Sequence, residues 1–335
     1  MKKILITGAA GFIGSNFIKS ILNDNDYSQI IAVDNLSRGT LIDGVHNHTK
    51  VKFWKMDIRD PEIEKLFENV DIVLHLAGLV SIYDCDKDPE EAIDNNVTGT
   101  ANVFNCCVKH NIKKCVSAET SAVYENCSLP TSGYCETMSD PTTIYATTKA
   151  ALSNLAKSYS RTRGLNYTLL RFFNVYGQLQ DWARTVPPAS AGFGIRMMQG
   201  KKPIIFGDAT RRRDFIHVDD VNAFLKIALS DDRTDNETYN LGTGKSISLI
   251  EMMEKIADIV GYKYDGFIQM DEINGEAWNI YADITKAKML GWRPKIDFVN
   301  GHTRLLNYLR NLYNEGVFPK DFMDHLDISS VKIGK

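Results

Sequence analysis

The apolar residues in the first half of the chain fall into short, continuous runs. They are rich in Ile, Val and Leu on consecutive positions, which is typical of strands buried on both faces of a parallel sheet. Segments with helical spacing separate these runs, and the alternation predicts an α/β fold with a doubly wound parallel sheet. The predicted strands are Ile4–Thr7, Ile30–Asp34, Val51–Met56, Ile72–Leu76, Cys115–Ala118 and Tyr167–Phe172. The predicted helices are Phe12–Leu22, Pro61–Phe67, Pro89–Lys109 and Thr143–Arg163.

The pattern changes after Gly177, where prolines and glycines mark a region rich in loops. Three further helices and three short strands are predicted beyond it: Val218–Ala228, Leu249–Val260, Phe298–Leu312, Ile204–Ile205, Asp214–Ile216 and Phe267–Gln269. We therefore predict a first domain over residues 1–176 and a smaller C-terminal α/β domain over residues 177–325 that partly returns to the first. Residues 326–335 carry little periodicity and are predicted to form a tail.

Composition narrows the class of protein. The 335 residues carry a formal net charge of −3, and the longest basic run is Arg211–Arg213, so a nucleic-acid or membrane-surface binder is not expected. No stretch approaches the roughly 18 apolar residues of a membrane span, and the N-terminal run is too short for a secretion signal. The six cysteines form no Cys-x-x-Cys pair and, with seven histidines, no metal spacing, which indicates free thiols, no metal and a reducing cytoplasm.

A glycine-rich turn follows the first predicted strand and opens a helix. Gly8, Gly11 and Gly14 allow a tight turn and a close backbone approach, and the helix N-terminus supplies amide donors to a pyrophosphate. Asp34 ends the next strand 20 residues after Gly14, where a carboxylate accepts both hydroxyls of an adenosine ribose. This arrangement favours NAD over NADP, although Arg38 nearby would suit a 2′-phosphate.

The ends of the third and fourth strands add to the predicted crevice, because ligands bind at the carboxyl ends of parallel strands. Asp57 is placed for the adenine, or alternatively acts as a turn acid or helix cap. These features predict a Rossmann-type domain. The predicted cofactor contacts from this part of the chain are Gly8, Gly11, Phe12, Ile13, Gly14, Asp34, Asn35, Ser37, Arg38, Asp57, Ile58, Leu76, Ala77 and Gly78.

Tyr145 and Lys149 begin a long helix with i,i+4 spacing, which places both side chains on one face. An ammonium beside a phenol stabilises the phenolate and lowers its pKa, so Tyr145 is the candidate general base or acid on a substrate hydroxyl. A hydroxyl at the end of the fifth strand would share that proton. Thr120 is the candidate and Ser121 the reserve, the alternative being a strand-end turn residue.

These motifs occur in a fixed order with others: GAAGFIG, VDNLSRG, DIRD, HLAG, NNVTGT, SAETSAVY, YATTK, RFFNVYG, RRDFIHVDD, YNLGTG and YADITKAKMLGW. Over residues 1–313 the chain resembles the extended short-chain dehydrogenase/reductase family, in its nucleotide-sugar epimerase branch. The resemblance implies tightly bound NAD and a nucleoside-diphosphate sugar substrate. It also implies a homodimer in which Pro89–Lys109 and Thr143–Arg163 form a four-helix bundle.

The resemblance further implies a mechanism. Tyr145 removes the proton of the C4 hydroxyl while hydride passes from C4 to NAD, and the 4-keto sugar turns and takes hydride back on its other face. Asn95 and Phe172 would line the cofactor site together with Tyr145 and Lys149. Asn174 and Arg213 would grip the diphosphate. The implied substrate contacts are Ser81, Thr120, Asn174, Arg213 and Ile280, of which Ile280 would tune pocket width.

Departures from the family pattern separate the possible reactions. Relatives that dehydrate or decarboxylate the 4-keto sugar carry acids where this chain has Ser121 and Ala122, which leaves 4-epimerisation. Glu119 stands where the family usually has a serine, without an explanation from the sequence. The segment Ile273–Glu276 lacks the usual diphosphate arginine, so either Arg184, Arg211 or Arg212 replaces it or the nucleotide binds differently.

Two alternatives to the epimerase remain. The first is a dehydratase, a decarboxylase or a 4-keto reductase of the same family, although Asp34 disfavours the NADPH that a reductase consumes. The second is a non-catalytic NAD-sensing protein on the same scaffold. Such proteins typically lose the catalytic tyrosine or lysine, whereas this chain retains Tyr145, Lys149 and Thr120.

Overall fold

A seven-stranded, all-parallel sheet forms the centre of the protein in the computed structural model, which describes residues 1–124, 141–272 and 279–324 and the backbone of residues 332–334. Its strands are β1 (Lys2–Thr7), β2 (Tyr27–Asp34), β3 (Val51–Lys55), β4 (Ile72–His75), β5 (Lys114–Thr120), β6 (Tyr167–Phe172) and β11 (Glu237–Leu241). Their spatial order is β11-β6-β5-β4-β1-β2-β3. The chain winds outward in both directions from the β1/β4 pair, and a crevice forms at the carboxyl ends of these two strands.

The strands are buried on both faces, as their continuous apolar runs predict, except for the edge strand β3, where Lys52, Trp54 and Lys55 are exposed. Ile4 and Ile6 of β1 pack in one hydrophobic cluster with α1 (Phe12–Ile21) and α7 (Val218–Ser230). Leu5 between them packs in a second cluster on the opposite face. The doubly wound Rossmann-type sheet predicted from the sequence is confirmed.

The second face is covered by α4 (Thr100–Lys109), α5 (Ile144–Arg163) and a 3₁₀ helix over Pro61–Phe67. Thr143 caps α5 through its side chain, and Gly164 ends the helix in the left-handed conformation at φ 74°. A glycine adopts this conformation without the steric cost that a side chain would add.

The helix predicted over residues 89–109 is not one continuous α-helix. It consists of α3 (Pro89–Ile93), a π-helical turn (Asp94–Gly99) and α4. The π turn contains one more residue per turn than an α-helix, so side chains after it face different directions from those that the 3.6-residue period predicts. A short helix that the sequence did not reveal, α2 (Ile82–Lys87), precedes it.

The second half of the chain forms a smaller layer around a third hydrophobic cluster. Its helices are α6 (Ala189–Met198), α8 (Leu249–Val260), α9 (Thr285–Met289) and α10 (Phe298–Asn314). Its strands are β7 (Asn174–Tyr176), β8 (Ile204–Phe206), β9 (Arg212–Arg213), β10 (Phe215–His217), β12 (Ile247–Ser248), β13 (Phe267–Met270), β14 (Asn279–Ile280) and β15 (Lys332–Gly334). They form three small sheets, β10-β7, β12-β9-β14 and β15-β13-β8.

Two features of this half bear on the predicted domain division. The segment α7–β11 rejoins the main sheet, where β11 pairs with β6. Part of the predicted tail forms β15, which pairs antiparallel with β13. The boundaries at residues 176 and 325 remain a prediction. Within the described residues, no helix has both the length and the apolar character that crossing a bilayer requires.

Candidate active site

The turn between β1 and α1 packs backbone against backbone. Gly8 has φ +67°, and a Cβ there would lie 2.7 Å from the amide nitrogen of Ala77, just after β4. A Cβ at Gly14 would overlap the carbonyl oxygen of Gly8. Only glycine at both positions lets the turn lie this close to the residues that follow β4, so the turn directly borders the crevice.

The groups around this turn fit a bound dinucleotide. Gly11 is the N-cap of α1, and no side chain among the described residues caps the helix, so its first amides remain for an anionic group. Asp34 lies beside the turn, where its carboxylate accepts from the amides of Ala10 at 3.0 Å and Leu36 at 2.8 Å. Phe12 and Ile13 begin α1 on the same side.

Of the other predicted cofactor contacts near β2 and β3, Arg38 and Asp57 already pair with side chains of the protein. Arg38 pairs with Asp84 at 2.8 Å, and Ser37 is exposed beside it. Asp57 accepts from the side chain and backbone of Arg59 and from Asn35, and mainly the Arg59 hydrogen bond lowers its pKa to about 2.

Asp57 therefore makes the turn contact that the sequence offered as one of two roles, and its contact with the adenine stays a prediction. The side chain of Ile58 is buried, and its Cδ1 would lie 2.5 Å from a Cβ at Gly99. Leu76 and Ala77, by contrast, border the crevice beside the glycine turn.

Three of the candidate catalytic side chains converge at the end of β5. The side chain of Thr120 lies close enough to the Tyr145 hydroxyl to favour its ionised form. The Lys149 ammonium donates to the carbonyl of Ala118 at 3.3 Å. A Cβ at Gly78 would lie 3.0 Å from Lys149 Nζ, so the absence of a side chain at residue 78 leaves space beside the ammonium. Tyr145, Lys149 and Thr120 thus meet where β4 and β5 end.

The electrostatics of the tyrosine differ from the sequence prediction. Burial raises the pKa of Tyr145 to about 12, and the neighbouring Thr120 side chain and the charge of Arg184 only partly oppose this. Burial also lowers the pKa of Lys149 to about 8, with Glu119 acting against it. The predicted lowering of the phenol pKa by Lys149 is wrong for this state of the protein, because desolvation dominates.

The neighbouring hydroxyls make local hydrogen bonds. Thr120 Oγ1 accepts from the amide of Ala122 at 3.2 Å, so its turn role exists beside its contact with Tyr145. Ser121 begins the 3₁₀ turn Ser121–Tyr124. Ser81 caps α2 by accepting from the amide of Asp84 at 3.2 Å.

Asn96, which the sequence analysis missed, also borders the crevice. Its Oδ1 accepts from the Leu79 amide at 2.7 Å and would lie 3.0 Å from a Cβ at Gly78. Its Nδ2 donates to Thr148 of α5 at 3.0 Å. For Asn95, the predicted contact, the buried Oδ1 has no hydrogen-bond partner among the described residues. Both asparagines lie in the π turn, which no periodicity in the sequence indicates.

The predicted substrate contacts come from strands far apart in the chain. Arg213 of β9 and Ile280 of β14 are neighbours in register, and Asn174 of β7 donates to the carbonyl of Asp214 at 3.1 Å. Ile280 is buried in the core behind Arg213, so its direct contact with a sugar remains a prediction. Phe172 ends β6 directly opposite Thr120.

Asp214 organises this side of the crevice and was also missed. Its fully buried carboxylate accepts from Thr243 through both amide and hydroxyl, and from the amides of Gly244 and Ala282. These bonds tie β9 and β10 to the loop after β11 and to the residues after β14. Burial raises the pKa of Asp214, and the four donors counteract it.

The candidate replacements for the missing diphosphate arginine lie in different surroundings. Arg184 donates to the carbonyl of Val186 at 3.0 Å and lies near enough to Tyr145 to influence its pKa. Arg211 pairs with Glu272, and Arg212 pairs with Glu251 at 3.2 Å. The segment Ile273–Glu276 lies outside the described residues.

The thiols and histidines of the described residues form no metal site. Cys85, Cys106, Cys107 and Cys115 are buried and unbridged, whereas Cys127 and Cys135 lie outside the described residues. His75 is buried, and its ring nitrogens hydrogen-bond Thr7 at 2.7 Å and Thr100 at 3.0 Å.

Comparisons with known proteins agree with this arrangement. The chain is 36% identical over 316 residues to the putative UDP-glucose 4-epimerase of Methanocaldococcus jannaschii, covering 92% of this chain and 98% of the relative. The UDP-glucose 4-epimerase of Thermotoga maritima, solved with UDP-glucose, is 31% identical with a TM-score of 0.85, over 93% of this chain and 99% of that one.

The UDP-glucuronic acid 4-epimerase of Bacillus cereus, solved with UDP-glucuronic acid and NAD, is 27% identical with a TM-score of 0.86, over 93% and 100% of the two chains. A dTDP-glucose 4,6-dehydratase of Streptomyces antibioticus also matches, at 28% identity over 92% of each chain. The profile described as the NAD dependent epimerase/dehydratase family matches residues 4–242. With the glycine turn, Asp34 and the Tyr145–Thr120 pair in place, the chain belongs to the NAD-dependent epimerase/dehydratase family.

Proposed function

We propose that this protein is an NAD-dependent nucleotide-sugar 4-epimerase. The observation that carries the proposal is that Tyr145 and Thr120 interact at the end of β5, next to the Lys149 ammonium beside Gly78. This constellation combines a proton-transfer group with a cation where a dinucleotide and a sugar would meet. The UDP-sugar 4-epimerases among the relatives support the same activity.

The cofactor would lie along the glycine turn. Gly8, Gly11 and Gly14 would admit its pyrophosphate to the start of α1, and Asp34 would accept from the adenosine ribose hydroxyls. Lys149 would hold the nicotinamide ribose. When bound, NAD supplies a hydride acceptor that also returns the hydride. The site is therefore suited to a reaction that is redox-neutral overall.

Tyr145 would move the proton of the sugar's C4 hydroxyl. With a pKa raised to about 12, its phenol is protonated at neutral pH and is ready to donate. To act as a base it must first release that proton, which an ammonium drawn closer by a bound ribose would favour. Thr120, whose side chain lies beside the phenol, would share the proton, with Ser121 as the neighbouring hydroxyl.

The substrate would be a nucleoside-diphosphate sugar. Asn174 and Arg213 would contact its diphosphate, since a guanidinium suits that group. Ser121 and Ala122 offer no carboxylate beside Thr120 to assist loss of water or carbon dioxide. This absence favours epimerisation over the dehydratase reaction, for which dTDP-glucose 4,6-dehydratases among the relatives are named.

We further propose a cytoplasmic homodimer that pairs α3–α4 and α5 with their copies in a four-helix bundle. The two segments already lie side by side, where Tyr159 of α5 donates to Asn105 of α4 at 3.0 Å. Ile93, at the end of α3, is about half exposed and would be covered in such a bundle. Sedimentation equilibrium with a charged Ile93→Glu variant tests the arrangement, which predicts a monomer for that variant.

The activity is tested by incubating the purified protein separately with UDP-, GDP-, CDP- and dTDP-linked sugars and separating the products by chromatography with mass detection. An isomer of unchanged mass is expected from at least one substrate. Products lighter by water or carbon dioxide would instead identify a dehydratase or a decarboxylase. No turnover of any sugar by protein that retains NAD would favour the non-catalytic alternative.

A further inference from the structure

Glu119 is a buried carboxylate directly before Thr120, at a position where the sequence pattern of the family offers a serine. Its side chain is 0% exposed. One carboxylate oxygen pairs with Arg171 Nε of the neighbouring strand β6 at 2.5 Å, and the other accepts from the hydroxyl of Ser153 on α5. A buried charge of this kind is costly unless it is fully paired, so its presence beside the site calls for an explanation.

Three consecutive residues of β5 contact three successive turns of α5. The Ala118 carbonyl accepts from Lys149, the Glu119 carboxylate accepts from Ser153, and the Thr120 side chain lies beside the Tyr145 hydroxyl. Positions 145, 149 and 153 are spaced i, i+4 and i+8, which places them on one face of the helix. The Glu119–Ser153 contact is thus one of three contacts between β5 and this face of α5. The other two involve the candidate catalytic residues Lys149, Tyr145 and Thr120.

Arg171 secures the opposite side of Glu119. Its Nη1 donates to the Tyr124 hydroxyl at 2.7 Å, and that hydroxyl donates to Asn240 of β11 at 2.9 Å. Burial by itself lowers the pKa of Arg171, but Glu119 and Tyr124 outweigh it and raise the pKa, so the guanidinium stays charged. The carboxylate is therefore fixed from β6 and β11 as well as from the helix.

We propose that Glu119 is a positioning residue that sets the register of α5 on β5 and holds Lys149 in its ammonium form. The proposal rests on the proposed function of Tyr145 and Lys149. Glu119 contacts neither the sugar nor the cofactor in this scheme and acts through the helix and through its negative charge.

Lys149 is buried, and the charge of Glu119 stabilises its protonated form. Burial lowers the pKa of Lys149 to about 8, and Glu119 is the first of the groups that oppose this lowering. Cys85 of α2 also faces Lys149, as does His75 of β4, whose own pKa burial lowers to about 3, so that it is neutral. Tyr145 on the same helix is protonated at neutral pH. Among the described residues, Glu119 is thus the carboxylate that stabilises the Lys149 ammonium.

The test compares Glu119→Gln with the unchanged protein across pH. Glutamine keeps the shape and can still bond Ser153, but it removes the charge, so the ammonium is lost at lower pH. We expect the alkaline limb of kcat to move down by about one pH unit, because a nearby opposite charge shifts a pKa by about that much. The pH at which NAD affinity declines, followed by quenching of protein fluorescence, should move by the same amount.

Two further variants separate positioning from folding. Ser153→Ala keeps the Glu119–Arg171 charge pair but removes the hydrogen bond between Ser153 and Glu119. We therefore expect kcat to fall several-fold, while the alkaline limb of the kcat–pH profile stays in place. If Glu119→Gln does not fold, the paired variant Glu119→Leu with Arg171→Met removes both charges, which buried pairs often tolerate. This paired variant should fold and still show the downward shift.

The proposal would be overturned if, in Glu119→Gln or in the paired variant, kcat and NAD affinity declined at the same pH as in the unchanged protein. The same holds for a loss of activity that is equal at all pH values. A failure of the proposed function is distinguishable, because an unchanged protein that turns over no sugar would still reveal the role of Glu119 in the pH dependence of NAD binding.

Discussion

The two sides of the crevice are built in different ways. The cofactor side is local and made of backbone, since Gly8, Gly11 and Gly14 form one turn whose close packing excludes side chains. The substrate side is assembled from β7, β9 and β14 around Asp214, whose backbone carbonyl accepts from Asn174 of β7 and whose buried carboxylate accepts from Thr243 and Ala282. Substitutions on the first side add atoms where there is no space. On the second side, a substitution of Asp214 removes the hydrogen bonds that connect separate segments.

The difference suggests how such a protein can change its substrate and keep its cofactor. The glycine turn depends on seven consecutive residues and tolerates little. The substrate side depends on hydrogen bonds from Thr243, Gly244 and Ala282 to one residue, and the surrounding side chains are free to differ. Each of the following predictions alters one of these sides, or the place where they meet.

The largest effect is expected where the two sides meet. Tyr145→Phe should lower kcat by about 10² to 10⁴-fold, the range that a positioned proton-transfer group contributes. Both binding sides should survive, so the thermal unfolding temperature and NAD content should match those of the unchanged protein. Turnover near the unchanged rate would remove Tyr145 from the mechanism.

Asp214→Asn should weaken the substrate side. The amide nitrogen would face backbone donors, and the expected loss is about 3 kcal/mol in the free energy of unfolding, measured by denaturant titration. Asp208→Asn is the matched control, because Asp208 also accepts from both the amide and the hydroxyl of a threonine, Thr210, but on the surface. An equal loss in the free energy of unfolding in both variants would show that Asp214 does not hold the substrate side together.

Gly8→Ala should damage the cofactor side. Gly44 has a similar φ of +71° but nothing within 4 Å of the site of a Cβ, so Gly44→Ala measures the left-handed penalty alone, about 1 kcal/mol. Gly8→Ala should cost about 1–3 kcal/mol more, because the new methyl meets the Ala77 amide. NAD retained on purification should decrease only in the Gly8 variant, and equal NAD content in both would contradict the close-packing argument.

The smallest effect concerns the loss of stability at acidic pH. Each half of the chain contains one buried histidine that contributes to it. Burial lowers the pKa of His75 and of His302 to about 3, so between that pH and about 6.5 the unfolded chain binds protons that the folded chain does not. Stability is therefore complete above pH 6.5 and falls below it, by about 1.4 kcal/mol per pH unit for each histidine.

His302→Phe retains the stacking between Tyr176 and Phe298 and removes one of the two titrations. Its unfolding free energy, measured at pH 7, 6 and 5, should fall less steeply than that of the unchanged protein. Parallel slopes would show that His302 is protonated in the folded state.

The sequence predicted what is local and missed what is not. The main sheet, the glycine turn and the Tyr145–Lys149 face could be predicted because each depends on a short pattern. Asp214 could not be identified, because its partners are 29 to 68 residues away in the chain. The direction of the Tyr145 pKa shift was wrong, because desolvation depends on the complete packing around the phenol.

The π turn at Asp94–Gly99 has an evolutionary consequence. A helix that holds one surplus residue in its middle can lose it by a single-codon deletion and close again as a regular α-helix. Because the surplus residue is confined to one turn, the segments on either side would keep their relative orientation, and only the side chains of that turn would change direction. Asn96 would leave the Leu79 backbone and Thr148, so one short deletion would re-aim a contact at the crevice without altering any strand of the sheet.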